Sequence, residues 1–154
     1  MSDSLFITHQ QQKNGEDCFG DTVFSKKIPE EQRIISILSD GLGSGVKANI
    51  LSSMTTRMAM KFVESNMELL RSSEVMMDAL PICQVRKISY ATFSIVDSEL
   101  GGKTRIIEMD NPPHMFIRDF KPLTVKCREL SSPKWKDRTI SISQVTTQPE
   151  DRII

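Results

Sequence analysis

A chain of 154 residues, 38% hydrophobic and 26% charged, fits one globular domain and excludes both a fibre and a disordered polyelectrolyte. Twenty Lys and Arg offset twenty Asp and Glu, so no net basic field draws the protein to nucleic acid or to an anionic membrane, and neither partner is expected. Apolar runs such as Ile34 to Leu38 are far shorter than the roughly 20 residues a bilayer demands, and no charged-then-apolar leader opens the chain, so a cytoplasmic location is expected.

In chain order, Leu5 to His9 reads as a short strand closed by the turn signal Lys13-Asn14-Gly15. The acidic cluster Glu16, Asp17, Cys18, Phe19, Gly20, Asp21 follows. Thr22-Val23-Phe24 is a candidate strand, Lys26 to Gln32 its hairpin connection, and the β-branched run Arg33 to Leu38 a buried strand. That strand runs into Ser39-Asp40-Gly41-Leu42-Gly43-Ser44-Gly45. Beyond it Val46, Ile50, Met54, Met58 and Phe62 recur at helical spacing, with Leu51 alongside, and predict a long helix to about Asn66 that buries this stripe.

Ser72 and Ser73 suit the cap of a second helix carrying Val75, Met76, Ala79 and Leu80, ended by Pro81. Strands are expected over Ser89 to Asp97, Thr104 to Met109, Met115 to Arg118 and Thr139 to Ser143, with the Asp110-Asn111-Pro112-Pro113 corner between the middle two. Two helices among hairpin-like strands predict an α+β fold of antiparallel sheet covered by helices, in one domain over residues 1–154. Cys18, Cys83 and Cys127 form no CxxC pair and are expected as reduced, buried thiols.

The chemistry concentrates where the buried strand meets Asp40-Gly41. A carboxylate at a strand end is held rigidly, and a following glycine can turn its own carbonyl toward the same ligand. Pairing of the flanking strands would bring Asp21 to Asp40, and two acids at one point favour a cation between them. Mg²⁺ and Mn²⁺ prefer such oxygen donors. Asp-Gly after a strand is also ordinary turn chemistry, so the wider string has to decide.

The string Ser39 to Gly45, with an apolar strand before it and an amphipathic helix after it, resembles the second metal motif of the stage II sporulation protein E branch of the protein phosphatase 2C-like superfamily. Gly20-Asp21 is similar to that family's upstream Gly-Asp pair, although Glu16-Asp17 offers a rival register like that of the eukaryotic relatives. Asp110 to Pro113 followed by Met115-Phe116-Ile117-Arg118 resembles the family's turn between paired strands, and Pro149 to Ile154 resembles the stretch leading to a third motif.

The resemblance implies an α-β-β-α sandwich of antiparallel sheets flanked by helices and a two-metal centre taking Mn²⁺ or Mg²⁺. Asp21 would ligate one ion, Asp40 would bridge both, and Gly41 would add its carbonyl; acids the family supplies later have no counterpart before Ile154. The implied activity is hydrolysis of phosphoserine or phosphothreonine on a bacterial signalling protein by metal-activated water, with no side chain as nucleophile. A chain without the later ligands is expected to be weak or inactive, and a non-catalytic regulatory module keeping the fold is the alternative.

His9 and His114 stand far apart and are expected to be structural or solvated. The glycines after Asp40 fit neither GxGxxG nor GxxxxGK[ST], which argues against a nucleotide site. The methionines Met54, Met58, Met60 and Met67 are expected to pack the core, with a surface for a regulatory domain or a partner helix as the second possibility.

Overall fold

The computed structural model of the protein describes residues 4–12, 14–15, 17–43, 45–80, 91–135 and 138–154. The first hairpin pairs β1 (Thr22–Ile28) with β2 (Arg33–Ser39). Its connection is a single 3-10 turn, Pro29–Glu31, closed by Gln32 in the left-handed region at φ 49°. Proline sets the first turn angle, so the strand persists to Ile28 and the loop is shorter than the Lys26 to Gln32 expected.

Two helices follow, α1 (Gly45–Glu64) and α2 (Leu69–Ala79), and then the remaining strands. These are β3 (Phe93–Glu99), β4 (Lys103–Met109), β5 (Phe116–Arg118), β6 (Lys121–Pro122), β7 (Cys127–Ser131), β8 (Thr139–Thr146) and β9 (Arg152–Ile153). They form a six-stranded sheet of order β1-β2-β3-β4-β8-β7 and a three-stranded sheet of order β6-β5-β9, antiparallel throughout. The α+β architecture of antiparallel sheets and helices is the one the sequence predicts.

Period-two alternation decides the layering. Arg33, Ile35, Ile37 and Ser39 of β2 are buried, whereas Ile34 and Ser36 are half-buried and Leu38 is exposed. Ile35 and Ile37 pack with Met60 of α1, Met76 and Met77 of α2, and Phe93 and Ile95 of β3, so both helices cover one face of the large sheet. The smaller sheet is tied to the other. His114 donates its backbone N–H to Glu108 Oε1 at 3.0 Å and pairs its Nδ1 with Oε2 at 2.9 Å, and Arg118 reaches both Asp151 and the Thr146 carbonyl. His114 is therefore structural, as the sequence suggests.

At the rim where β2 begins, Arg33 is inside the protein with its partners. It donates to both Asp97 oxygens at 2.5 and 2.9 Å, to Asn66 Oδ1 at 3.0 Å and to the Val63 carbonyl at 3.2 Å, while Arg105 adds a third contact to Asp97 at 2.8 Å. This ion network fastens the last turn of α1 to β2 and β3.

α1 buries only part of the stripe its apolar periodicity predicts: Leu51, Met58 and Phe62 pack against the core, and the N-terminal positions do not. Val46, Ile50 and Met54 are 65%, 51% and 55% exposed, and the buried positions are Ala48, Ser52, Thr55, Thr56, Ala59, Met60 and Val63. Small side chains let the helix approach the sheet closely, and their hydroxyls are satisfied locally: Thr55 donates to the Leu51 carbonyl at 2.8 Å and Thr56 to that of Ser53 at 3.0 Å. Met60 is core and Met58 packs against it, while Met54 and Met67 are exposed.

Other expectations also change. Leu5 to His9 is exposed and forms no strand, since no ladder partner lies beside it among the described residues. Ser72 and Ser73 are buried inside α2 rather than capping it, with Ser72 Oγ bonded back to the Glu68 carbonyl at 3.0 Å. Cys127 is exposed and Cys18 half-buried, both free, because edge strand β7 and the loop before β1 leave them near solvent; Cys83 lies outside the described residues. Also outside them are Lys13, Glu16, Ser44, Pro81 and the first residues of the strand expected from Ser89. No helix among the described residues is long and apolar enough to cross a membrane.

Candidate metal centre

Asp21 immediately precedes β1 and Asp40 immediately follows β2. Because Thr22 pairs with Ser39 in the antiparallel register, the two acids fall opposite each other one step beyond that last pair, at one sheet rim. Their carboxyl groups are near enough for the charge of one to bear on the other. Asp40 is pushed up to about 6, first by partial desolvation at the rim, then by a hydrogen bond to Asp21 and by the charge of that neighbour. Both acids keep solvent access.

Gly41 is buried and pressed against α1: a Cβ added there would lie 2.1 Å from the Ala48 carbonyl oxygen. A Cβ added to Gly20 would come within 3.7 Å of the Gly41 carbonyl oxygen, so that oxygen lies beside the backbone that carries Asp21. Asp21, Asp40 and Gly41 thus lie at one rim of the sheet.

The loop before β1 is held by α1 and by the N-terminal arm. Asn49 Nδ2 donates to the Phe19 carbonyl at 2.9 Å, Gln10 Nε2 donates to the Asp21 carbonyl at 3.1 Å, and the Thr22 hydroxyl bonds with Ser52 at 2.7 Å and Ser53 at 3.1 Å. Asp40 is held from β3. The Thr92 N–H donates to the Asp40 carbonyl at 3.0 Å, the Ser39 hydroxyl donates to the Thr92 carbonyl at 2.6 Å, and the Asp40 N–H points to Thr92 Oγ1 at 3.4 Å.

Sequence reasoning missed Thr92 and the helix residues Asn49, Ser52 and Ser53. The periodic signal drew attention to the apolar stripe, and only strand pairing places Thr92 beside Asp40. Asn111, noted only as part of a turn, accepts a hydrogen bond from Thr92 at the same rim. Asp17, the rival first acid, is an exposed loop residue.

The donor chemistry fits a hard divalent cation: two carboxylates that repel when both are ionised, next to a backbone carbonyl. The set is partial, since no group of three or more His, Cys, Asp or Glu side chains suited to a metal occurs among the described residues. Of two cavities that share Arg105 and Asn66, one lies around Arg33 and Asp97 and the other between the helices and strands β3 and β4; neither is lined by Asp21 or Asp40.

No protein-family model and no curated protein matches the sequence. Solved structures do match in fold. The phosphatase domain of the cell fate determinant SpoIIE from Bacillus subtilis has a TM-score of 0.63 at 16% identity, with 92% of this chain and 60% of that one covered. RsbX in complex with magnesium has a TM-score of 0.66 at 20% identity, covering 94% of this chain and 69% of that one. The RsbU and RsbW domains of a Mycobacterium tuberculosis protein give 0.67 at 15% identity, covering 92% of this chain and 40% of that one. The chain thus spans about three fifths of the length of the SpoIIE domain it matches. Across nearly its whole length, this chain shares the fold of part of the SpoIIE phosphatase domain and of the RsbX and RsbU–RsbW structures.

Proposed function

We propose that this chain carries part of the centre of a metal-dependent protein serine/threonine phosphatase, with Asp21, Asp40 and the Gly41 carbonyl as ligands for Mn²⁺ or Mg²⁺. The observation that carries the reading is the register of the first hairpin, which sets Asp21 opposite Asp40 at one rim, with the Gly41 carbonyl beside the backbone of Gly20. The likeness in fold to phosphatase domains, one of them solved with magnesium, supports the same assignment.

Bound there, divalent ions would polarise a phosphoryl oxygen and activate water for in-line attack. The chain's own part is to fix the ligands. Asp21 is fastened through α1 and Asp40 through β3, so the distance between the two carboxylates is set by the packing of helix against sheet. No side-chain nucleophile is required of the rim, and His114 is committed to Glu108. An open acidic rim suits a phosphorylated loop on a protein better than a small molecule enclosed in a cavity. The substrate is accordingly a phosphoserine or phosphothreonine segment of a signalling protein, and the exposed Val46, Ile50 and Met54 of α1 offer a surface for a regulatory domain or partner helix.

The test is release of phosphate from a phosphoserine peptide, with Mn²⁺, with a chelator, and in Asp40→Asn. Slow release that needs both Mn²⁺ and Asp40 is expected, because the ligand set is partial. Release that survives the chelator or the substitution would exclude this centre, and fast turnover by the chain alone would contradict the partial set.

A further inference from the structure

We infer that Thr92 and Asn111 are positioning residues for the Asp40-Gly41 turn, holding it from the third and fourth strands so that the Asp40 carboxylate is aimed at Asp21. The inference rests on the metal-site reading above and adds residues to it.

The hydrogen-bond bookkeeping runs in one direction. The backbone of Asp40 meets Thr92 twice, through the Thr92 N–H on the Asp40 carbonyl at 3.0 Å and through its own N–H on Thr92 Oγ1 at 3.4 Å. Gly41 pairs with Ala91 in an isolated antiparallel bridge just beyond. A hydroxyl has one proton to give, and Thr92 gives it to Asn111 Oδ1, which turns its lone pairs toward the Asp40 N–H. Asn111 in turn donates through Nδ2 to Ser94 Oγ at 2.7 Å.

Asn111 is placed by the corner after β4, where Asp110 sits at φ 58° and Pro112 fixes the next turn angle. The relay therefore spans the ends of three neighbouring strands. Remove Asn111 and the Thr92 hydroxyl is free to rotate, so the Asp40 amide loses an oriented acceptor. Remove the Thr92 hydroxyl and that contact disappears. Both residues are only half-buried and lie outside the hydrophobic cluster, so they add more to the geometry of the turn than to the core.

Partners one bond removed from a ligand commonly change metal affinity by about 10–100-fold. The experiment compares wild type, Thr92→Val, Thr92→Ser, Asn111→Ala and Asp40→Asn in the full chain. It reads hydrogen exchange at the Asp40 amide without metal, and the Mn²⁺ dissociation constant from the free-ion electron paramagnetic resonance signal. The expected result is faster exchange and about tenfold weaker Mn²⁺ binding in Thr92→Val and Asn111→Ala, with Thr92→Ser close to wild type.

If those two variants bind Mn²⁺ like wild type while Asp40→Asn does not, the metal reading stands and the positioning role is overturned. If wild type binds Mn²⁺ no better than Asp40→Asn, the metal reading falls and this inference with it. Should Thr92→Val fail to fold, Asn111→Ala at its solvent-accessible corner decides alone.

Discussion

Asp21 and Asp40 stand opposite each other at the open end of the first hairpin, Asp21 just before β1 and Asp40 just after β2. Two carboxyl groups so placed repel when both are ionised, and without a bound cation that repulsion grows as pH rises through the value of Asp40, about 6.

The folded-state value of Asp40, about 6, lies above the ordinary carboxylate value near 3.9. The folded chain therefore binds more protons than the unfolded chain between those values. Stability from this group is complete below about pH 4 and is lost as pH rises through about 6. Asp40→Asn is expected to raise the thermal midpoint of the metal-free chain at about pH 7.5 and to leave it nearly unchanged at about pH 4.5. Calorimetry at the two pH values checks the sign; equal effects at both would remove the repulsion from the account.

Gly41 is constrained by space rather than by an unusual backbone angle. A methyl group there would sit 2.1 Å from the Ala48 carbonyl oxygen, a backbone atom in the middle of a helical turn that cannot rotate away. Gly41→Ala should therefore push α1 off the rim, at a cost of about 1–3 kcal/mol or more. Urea unfolding measures it, and a loss below about half a kcal/mol would show that the contact is looser than described.

Along α1, Ile50 is half exposed and Ala59 fully buried. Ile50→Ser should change stability by no more than about 0.5 kcal/mol, whereas Ala59→Leu should cost about 1–3 kcal/mol by overpacking against β2 and β3. Reading the helix from its apolar periodicity would rank the two the other way, so a pair of urea melts separates the descriptions.

Asp97→Ala would leave the Arg33 guanidinium inside the protein with only Glu31, Asn66 and a carbonyl for company. Breaking one partner of a buried pair costs about 3–5 kcal/mol, while replacing both with apolar residues of similar size is far milder. Thermal melts of Asp97→Ala and of the double variant Arg33→Met, Asp97→Leu should show a large loss in the first and partial recovery in the second. Equal losses would mean that the charges themselves hold this rim.

Much of the architecture was legible in the sequence. The β-branched run Arg33 to Leu38 and the glycine-rich string after it located β2, the turn and the start of α1, and the pairing of Asp21 with Asp40 followed from one hairpin. The buried side of α1 was legible only through Leu51, Met58 and Phe62, because close packing on a sheet also selects small residues such as Ala48 and Ser52, whose hydrophobicity is low. Thr92 was invisible for a related reason: a lone threonine means little until strand pairing sets it beside Asp40. Edge strand β7, mostly exposed and carrying charges, lacks the apolar alternation that marks a half-buried strand.

The most direct test of the central claim is titration of Mn²⁺ into the isotopically labelled chain, following paramagnetic broadening of backbone amides. The amides around Asp21, Asp40 and Gly41 should broaden first, and the effect should vanish when both aspartates are changed to asparagine. Broadening centred on the far rim near Glu31 and Glu99, or unaltered in the double variant, would contradict a metal site at the acidic pair.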